Sequence, residues 1–115
     1  MALYFESLIV WQKAFLLAEK VYFLAKKFPK EETYALGDQI RRASVSVSSN
    51  IAEWSWRWTI NDRNQFYHIA KGSAMEVQTH ILLVSKFWYI GINEQEEISL
   101  IIEEIVKMLV TMTKK

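Results

Sequence analysis

Basic side chains are the residues of this sequence best suited to bind a ligand. The candidates are Arg41, Arg42, Arg57 and Lys71. Arginine and lysine neutralise phosphate charge, so this group predicts contacts with the backbone of RNA or DNA. The competing interpretation is structural. One arginine would pair with Glu53 or Glu76 inside the protein, because buried charges need partners, and another would be a solvated surface charge.

Catalytic and metal-binding arrangements are poorly represented. Two carboxylates, Glu53 and Glu76, are the residue type needed for acid–base chemistry, but no nucleophile accompanies them. Glu76 and His80 stand four residues apart, a spacing that can hold a metal ion, yet two ligands are too few. His68 lies twelve residues from His80, too far to share a metal on one helix. We therefore expect no enzymatic activity, no metal and no cofactor.

Some polar residues fall on apolar-facing stretches of the predicted helices. We expect them to form an internal hydrogen-bond network that sets helix register. They are Asn50, Glu53, Ser73 and Glu76. Gly72 lies beside Ser73 within a helical pattern, where glycine costs about 1 kcal/mol relative to alanine. The pair predicts a close crossing of two helices.

Tryptophans mark a second candidate surface. Trp54, Trp56 and Trp58 lie within five residues, and residues two apart point about 200° apart on a helix. Either the helix ends near Trp54 or at least one ring is exposed. Exposed indoles commonly mark interfaces, and the alternative is a ring-packed cap over the end of the fold. We predict a protein-contact surface here and at Trp88, covered by a neighbouring subunit, a second ring or a partner.

Composition limits the class of protein. A chain of 115 residues with 51% apolar residues is one domain, residues 1–115, with enough apolar surface for a core. Its longest apolar runs, including Ala14–Ala18 and Val21–Ala25, are far shorter than the ~20 residues of a membrane span. Without cysteines or a signal peptide, we expect a cytoplasmic protein. The net charge of +1 leaves only a local patch for nucleic acid.

Apolar periodicity predicts four helices near residues 8–27, 31–56, 60–90 and 94–112. The stretch Gln39–Arg57 is ambiguous, because serines alternating with alanine and valine also resemble a strand. Its longer helical stripe favours helix. Short connections between long helices predict an all-α, antiparallel up-down-up-down four-helix bundle.

Local signals mark the predicted helix ends. Ser7 is a candidate N-cap of the first helix, and Pro29 suits the first turn of the second. Capping boxes at Thr59–Asp62 and Asn93–Glu96 predict the starts of the third and fourth helices. Gly91 is predicted to end the third helix.

The first predicted helix carries two apolar stripes. One comprises Leu8, Trp11, Phe15, Ala18, Tyr22 and Ala25. The other comprises Val10, Ala14, Leu17, Val21, Leu24 and Phe28. A helix packed on one side of a bundle needs a single stripe, so the second predicts burial against another subunit. The fourth helix has a similarly broad apolar arc. We therefore expect a homo-oligomer.

A family resemblance rests on five motifs that occur in register. They are Val10–Ala14, Phe28–Pro29, Gln39–Ala43, Ser49–Glu53 and Ile69–Ser73 followed by Glu76. Together they resemble the bacterial four helix bundle protein family, from about Leu8 to Met112. That family includes proteins encoded in intervening sequences of 23S ribosomal RNA genes, long labelled S23 ribosomal protein. It also includes the accessory variability determinant of diversity-generating retroelements. The resemblance implies a pentameric bundle and a non-enzymatic role, with nucleic acid and a reverse transcriptase as partners in the retroelement members.

Several residues depart from the family pattern. The family usually reads Asn-Ile-Ala-Glu-Gly-x-Gly-Arg, whereas here both glycines are tryptophans, Trp54 and Trp56. A glycine also usually stands where Trp88 precedes Tyr89. Natural divergence and a redesigned surface are both compatible with these changes. The alternative function is therefore a structural scaffold or designed self-assembly component with a tryptophan-rich interface at residues 54–58.

Overall fold

The computed structural model describes residues 3–113, in which all regular structure is helical. A 3-10 turn, Tyr4–Ser7, precedes α1 (Ile9–Ala25). A 3-10 turn, Lys30–Glu32, and a π-helical turn, Thr33–Gly37, lead into α2 (Asp38–Trp56). The remaining helices are α3 (Ile60–Lys86) and α4 (Ile92–Thr113). No strand occurs within this described range. The all-α prediction is confirmed, and the ambiguous stretch around the serines is helix.

The hydrophobic core lies between the four helices. α2 packs against α1 and α3, and α4 packs against the same two helices. Every helix contributes large side chains with almost no exposed surface, among them Leu17, Ile40, Ile51, Ile81, Ile105 and Leu109. Full burial of such a side chain stabilises the fold by about 1.5–3 kcal/mol. The core therefore provides most of the packing between helices.

Three ion pairs join α1 and the turn that follows it to α4. Lys13 Nζ lies 2.9 Å from Glu104 Oε2, and Lys20 Nζ lies 2.5 Å from Glu97 Oε1. Lys27 pairs with Glu94. The lysine numbers rise as the glutamate numbers fall, so α1 and α4 run in opposite directions. Exposed ion pairs contribute little free energy, and their value here is to favour one direction and register.

The start of α2 is irregular. Pro29 lies before the first helical turn of this segment instead of within it. The Tyr89 hydroxyl donates a hydrogen bond to Glu32 Oε2 at 3.0 Å, and this bond raises the pKa of Tyr89. The ring of Phe28 lies 6.0 Å from that of Tyr89. The residues after α3 therefore pack on the link between α1 and α2.

The helix starts follow the predicted caps only in part. Thr59 Oγ1 accepts the Asp62 N–H at 3.1 Å and caps α3 as predicted. The predicted cap at Ser7 is wrong, because Leu8 occupies the N-cap position of α1. The Ser7 hydroxyl instead donates to the Tyr4 carbonyl within the preceding 3-10 turn.

The predicted end of α3 is also wrong. α3 ends at Lys86 because Trp88 adopts the left-handed conformation, with φ of 64°. The Trp88 N–H donates to the Ser85 carbonyl at 3.1 Å and the Tyr89 N–H to the Val84 carbonyl at 2.9 Å. These two bonds form a Schellman motif, whose left-handed residue is usually glycine. The departure from glycine at position 88 thus places tryptophan at a strained position.

Gly91 belongs to the start of α4, not to the end of α3. Its N–H donates to Glu94 Oε1 at 2.9 Å. The hydrogen bond from Gly91 and the ammonium of Lys27 lower the pKa of Glu94. The predicted capping box at Asn93–Glu96 is wrong, because α4 already begins at Ile92.

One face of α3 is buried against the rest of the fold. Ile69 and Trp88 are exposed, whereas Tyr67, Ala74 and His80 are buried. Of the pair predicted to form a close helix crossing, Ser73 contacts α2 through the Ser46 hydroxyl 2.8 Å away, whereas the prediction is wrong for Gly72. A Cβ added to Gly72 would meet no atom within 4 Å, so this glycine faces open space in a single chain.

We expect Trp88→Gly to raise the free energy of unfolding by about 1 kcal/mol, because glycine adopts positive φ without steric cost. The Trp88 ring is 90% exposed, so its removal forfeits little packing. Trp88→Ala is the control, since it removes the ring but keeps a Cβ at positive φ. Urea denaturation of both variants measures the difference. Equal stability of the two variants would contradict the strain at this residue.

Glu94 should make stability depend on pH. Its pKa is lowered in the folded protein, so its contribution is present above the unfolded pKa and is lost as pH falls through the folded value. Glu94→Gln should therefore reduce the drop in melting temperature between neutral and acidic pH. Glu103→Gln is the control, because Glu103 forms only an exposed ion pair with Lys107. Identical acid profiles for Glu94→Gln and the parent would contradict this role.

Candidate assembly and nucleic-acid interfaces

A small polar network joins α2 to α3. The hydroxyls of Ser46 and Ser73 lie 2.8 Å apart. The Asn50 side-chain amide donates to the Ser46 carbonyl at 2.8 Å and to its hydroxyl at 3.1 Å. The structure thus brings Asn50 and Ser73 together through Ser46. Sequence reasoning missed Ser46, although it stands one helical turn before Asn50.

The two glutamates predicted for this network lie outside it. Glu53 Oε2 accepts from Arg57 Nη2 at 2.9 Å, one turn along α2. Glu76 is exposed and makes no ion pair among residues 3–113. In this network the hydrogen bond that crosses from α2 to α3 is therefore the one between the hydroxyls of Ser46 and Ser73.

Arg41 and Arg42 share one acidic neighbour. Arg41 Nη1 lies 3.7 Å from Asp38 Oδ1, and Arg42 Nη2 lies 3.6 Å from Asp38 Oδ2. The Arg41 guanidinium also faces the Tyr22 ring, 5.7 Å from its centroid. The Arg42 side chain is 81% exposed. Arg42 is therefore the more available cation of the two.

A shallow groove runs beside these arginines on α2. It is lined by Arg41, Arg42, Val45, Ser46, Ser49 and Asn50. Guanidinium, hydroxyl and amide groups are the donors that usually contact phosphate oxygens. The groove thus offers the right chemistry for a nucleic-acid backbone, although Asp38 offsets part of the charge.

Arg57 lies far from this groove. Sixteen residues of α2 separate it from Arg41, which is about 24 Å of helix. Its guanidinium lies between the rings of Trp56 and Phe66, 4.1 and 4.5 Å from their centroids, and is paired with Glu53. The positive charge of Arg57 is thus paired within the protein.

Lys71 is half-buried on α3 and forms no ion pair within the described range. The predicted basic residues therefore do not form a single cluster. Only Arg41 and Arg42 line a common groove.

The tryptophan-rich segment divides into a packed part and an exposed part. Trp54 packs against the core, and the Arg63 guanidinium lies 4.9 Å from its ring. Arg63 Nε also donates to the Arg57 carbonyl at 2.9 Å. Trp56 and Trp58 are 57% and 93% exposed. Arg63 was not among the candidate residues, and it holds the turn between α2 and α3.

The two apolar stripes of α1 have different environments. Val10, Ala14, Leu17, Val21, Leu24 and Phe28 are all buried. Phe15 and Tyr22 of the other stripe are about half exposed. Three further apolar residues spaced by seven, Ile9, Leu16 and Phe23, are also exposed. A single chain therefore leaves much of the apolar surface of α1 uncovered.

Metal-ligand clusters and membrane-spanning helices are both absent from residues 3–113. No three His, Asp or Glu side chains of this range come together as metal ligands. No helix in the same range is both long and apolar enough to cross a membrane.

The chain is similar to known proteins in sequence and in fold. The family model of the 23S rRNA-intervening sequence protein matches residues 6–111. A crystal structure of a protein of unknown function from the S23 ribosomal protein family of Bacteroides thetaiotaomicron VPI-5482 superposes with a TM-score of 0.85. It is 25% identical, and the match covers 93% of this chain and all of that one. No curated protein matches. Since the family model spans most of the sequence, the chain belongs to the 23S rRNA-intervening sequence protein family.

Proposed function

We propose that this protein is a non-enzymatic up-down-up-down bundle that acts as a homo-oligomer, and specifically as a pentamer. The observation that carries the proposal is the uncovered apolar surface of α1. The number five comes from the family resemblance. The proposed location is the cytoplasm.

Contacts between neighbouring helices support the up-down-up-down arrangement. Tyr22, late in α1, lies beside Arg41, early in α2. Ser46 contacts Ser73 across the α2–α3 pair. α2 and α3 are joined by only residues 57–59, and α1 and α4 run in opposite directions through their ion pairs. Antiparallel neighbours with short connections are the usual form of such bundles.

Assembly follows from the cost of leaving the α1 surface in water. Ile9, Leu16 and Phe23 are 61%, 39% and 58% exposed and recur every seven residues. Apolar rows with this spacing are the seams of helix pairs. Contiguous apolar surface on a soluble protein commonly marks an interaction site. A second copy of the chain is the occupant that requires no additional component.

We further infer that the groove beside Arg42 contacts nucleic-acid phosphates. Arg42 is the most exposed candidate cation, and hydroxyl and amide groups line the same groove. With a net charge of only +1, binding depends on this local patch. Repeating the patch around an oligomer would strengthen binding through multivalency. The resemblance to the retroelement members also implies a protein partner. We propose that this partner is a reverse transcriptase or another protein.

The alternative is a structural scaffold or self-assembly component whose contacts are made by the tryptophans. The exposure of Trp56 and Trp58 supports it. Such a component would assemble as strongly but would not bind RNA or DNA. Nucleic-acid binding therefore separates the two functions.

Light scattering should give a mass five times that of the 13.6 kDa chain. The double variant Leu16→Glu with Phe23→Glu should dissociate to monomer, because two carboxylates would enter the apolar contact. Tyr34→Glu is the control, since Tyr34 is 88% exposed and lies outside α1. Circular dichroism confirms that each variant remains helical. A parent protein that elutes with the monomer mass at micromolar concentration would contradict the assembly.

Arg42→Ala should weaken binding to a fluorescent single-stranded RNA of mixed sequence and to the matching DNA. Losing one phosphate contact per bound subunit should also reduce the salt slope of log K by about 0.7 per bound subunit. Lys86→Ala is the control, because it removes an exposed positive charge that does not line this groove. Fluorescence anisotropy at several salt concentrations measures both quantities. If the parent binds neither probe at low salt, the scaffold alternative replaces this function.

A further inference from the structure

The corner between α2 and α3 projects apolar side chains into solvent. Trp56, Trp58 and Ile60 are 57%, 93% and 76% exposed. We call residues Trp56–Ile60 the tryptophan corner. Trp56 stacks on the Arg57 guanidinium, which is fixed by Glu53. The corner is therefore a braced apolar projection.

An apolar groove lies between the start of α1 and the end of α4. Its lining residues are Leu8, Ile9, Val10, Lys107, Met108, Thr111 and Met112, and its volume is about 400 Å³. We call it the methionine groove. Methionine side chains are flexible and polarizable, and they make favourable contacts with aromatic rings. An ammonium beside an indole adds a cation–π attraction. The groove is thus chemically suited to tryptophan.

The corner and the groove lie at the same end of the bundle. Tyr22 lies beside Arg41, so the start of α1, about 20 Å from Tyr22 along the helix, lies near the last turns of α2. The 3-10 turn Tyr4–Ser7 packs on α2. The groove is formed by the α1–α4 pair and the corner by the α2–α3 pair. The tryptophan corner and the methionine groove therefore lie at the same height along the bundle but on different sides of the chain.

We propose that the tryptophan corner of one chain docks in the methionine groove of the next copy. This inference rests on the proposed homo-oligomer and identifies one of its contacts. Two different surfaces then meet at every junction, which is a heterologous contact. Such contacts form a closed ring when the rotation between copies closes. Because both surfaces lie at one end of the bundle, neighbouring copies stand parallel in the ring.

Charge supports a second copy as the occupant. Asp62, one turn after Trp58, is exposed and forms no ion pair with any residue that the structure describes. The groove carries Lys107, whose acidic neighbour in the chain is the exposed Glu103, 3.0 Å away. Docking would bring Asp62 towards Lys107. The corner and the groove are therefore complementary in charge as well as in apolarity.

The tryptophan corner also exposes enough apolar area to form part of a stable interface. The exposed parts of the two indoles, 57% and 93%, contribute roughly 225–375 Å² in total, since a whole ring buries ~150–250 Å². A stable interface buries about 800 Å² per partner. The corner thus supplies between a quarter and a half of its own side of such an interface. On the groove side, the exposed row of α1, which includes Ile9, adds to the contact.

Cysteine cross-linking tests the contact, and the chain has no native cysteine. Asn61→Cys places a thiol beside the corner, and Thr111→Cys places one in the groove, with both indoles and both methionines retained. Mixing the two single variants under oxidising conditions should give a covalent dimer on a non-reducing gel. Lys86→Cys, at the other end of α3, replaces Asn61→Cys in the control mixture and should give none. Adding Trp58→Ala to Asn61→Cys should lower the yield at least tenfold, whereas adding Trp88→Ala should leave it unchanged.

The outcomes distinguish this inference from the assembly itself. An oligomeric mass without cross-linking between positions 61 and 111 would overturn the docking and leave the oligomer intact. Cross-linking of position 86 with position 111 would show antiparallel neighbours and would also overturn it. A monomeric parent would remove both the docking and the oligomer. Cross-linking that depends on Trp58 but not on Trp88 supports the corner as the contact.

Discussion

A four-helix bundle has one interior, and each helix can fill it with one apolar stripe. In this protein the stripe containing Leu17 and Val21 is fully buried, and it determines how α1 faces α2 and α4. Once that face is chosen, Phe15 and Tyr22 must lie towards the outside. The same constraint leaves surplus apolar surface on the outside of the single chain. The proposed homo-oligomer would cover this surface with a second copy.

The charged residues act on geometry more than on stability. Lys13 and Lys20 of α1 and Lys27 just after it recur every seven residues. They therefore fall along one side and meet glutamates of α4. The arginines of the α2–α3 turn act differently, because their flat guanidinium groups stack on indole and phenyl rings. Lysine could not replace them equally, since its ammonium is a compact point charge. Charge thus aligns the helices along their length and braces the turn at one end.

The number and type of the helices could be predicted from the sequence because apolar periodicity reports burial directly. The ends of the helices were harder to predict. Ser7 and Asn93 have side chains that commonly cap helices, but they do not occupy the cap positions here. Trp88 also could not be predicted to end a helix, since a tryptophan side chain does not indicate a left-handed backbone conformation. For the candidate sites, the family pattern drew attention to Arg41 and Arg42. The roles of Arg63 and Ser46 depend on contacts across a turn or between helices, which a linear sequence does not display.

Trp88 and Tyr89 are consecutive residues with opposite surroundings. The first ring lies in solvent, whereas the second packs on Phe28 and its hydroxyl binds Glu32. A single peptide unit joins them, so the exposed ring and the anchored ring are neighbours along the chain. Any molecule that contacted the Trp88 indole would therefore lie next to the residue whose hydroxyl holds the irregular turns before α2.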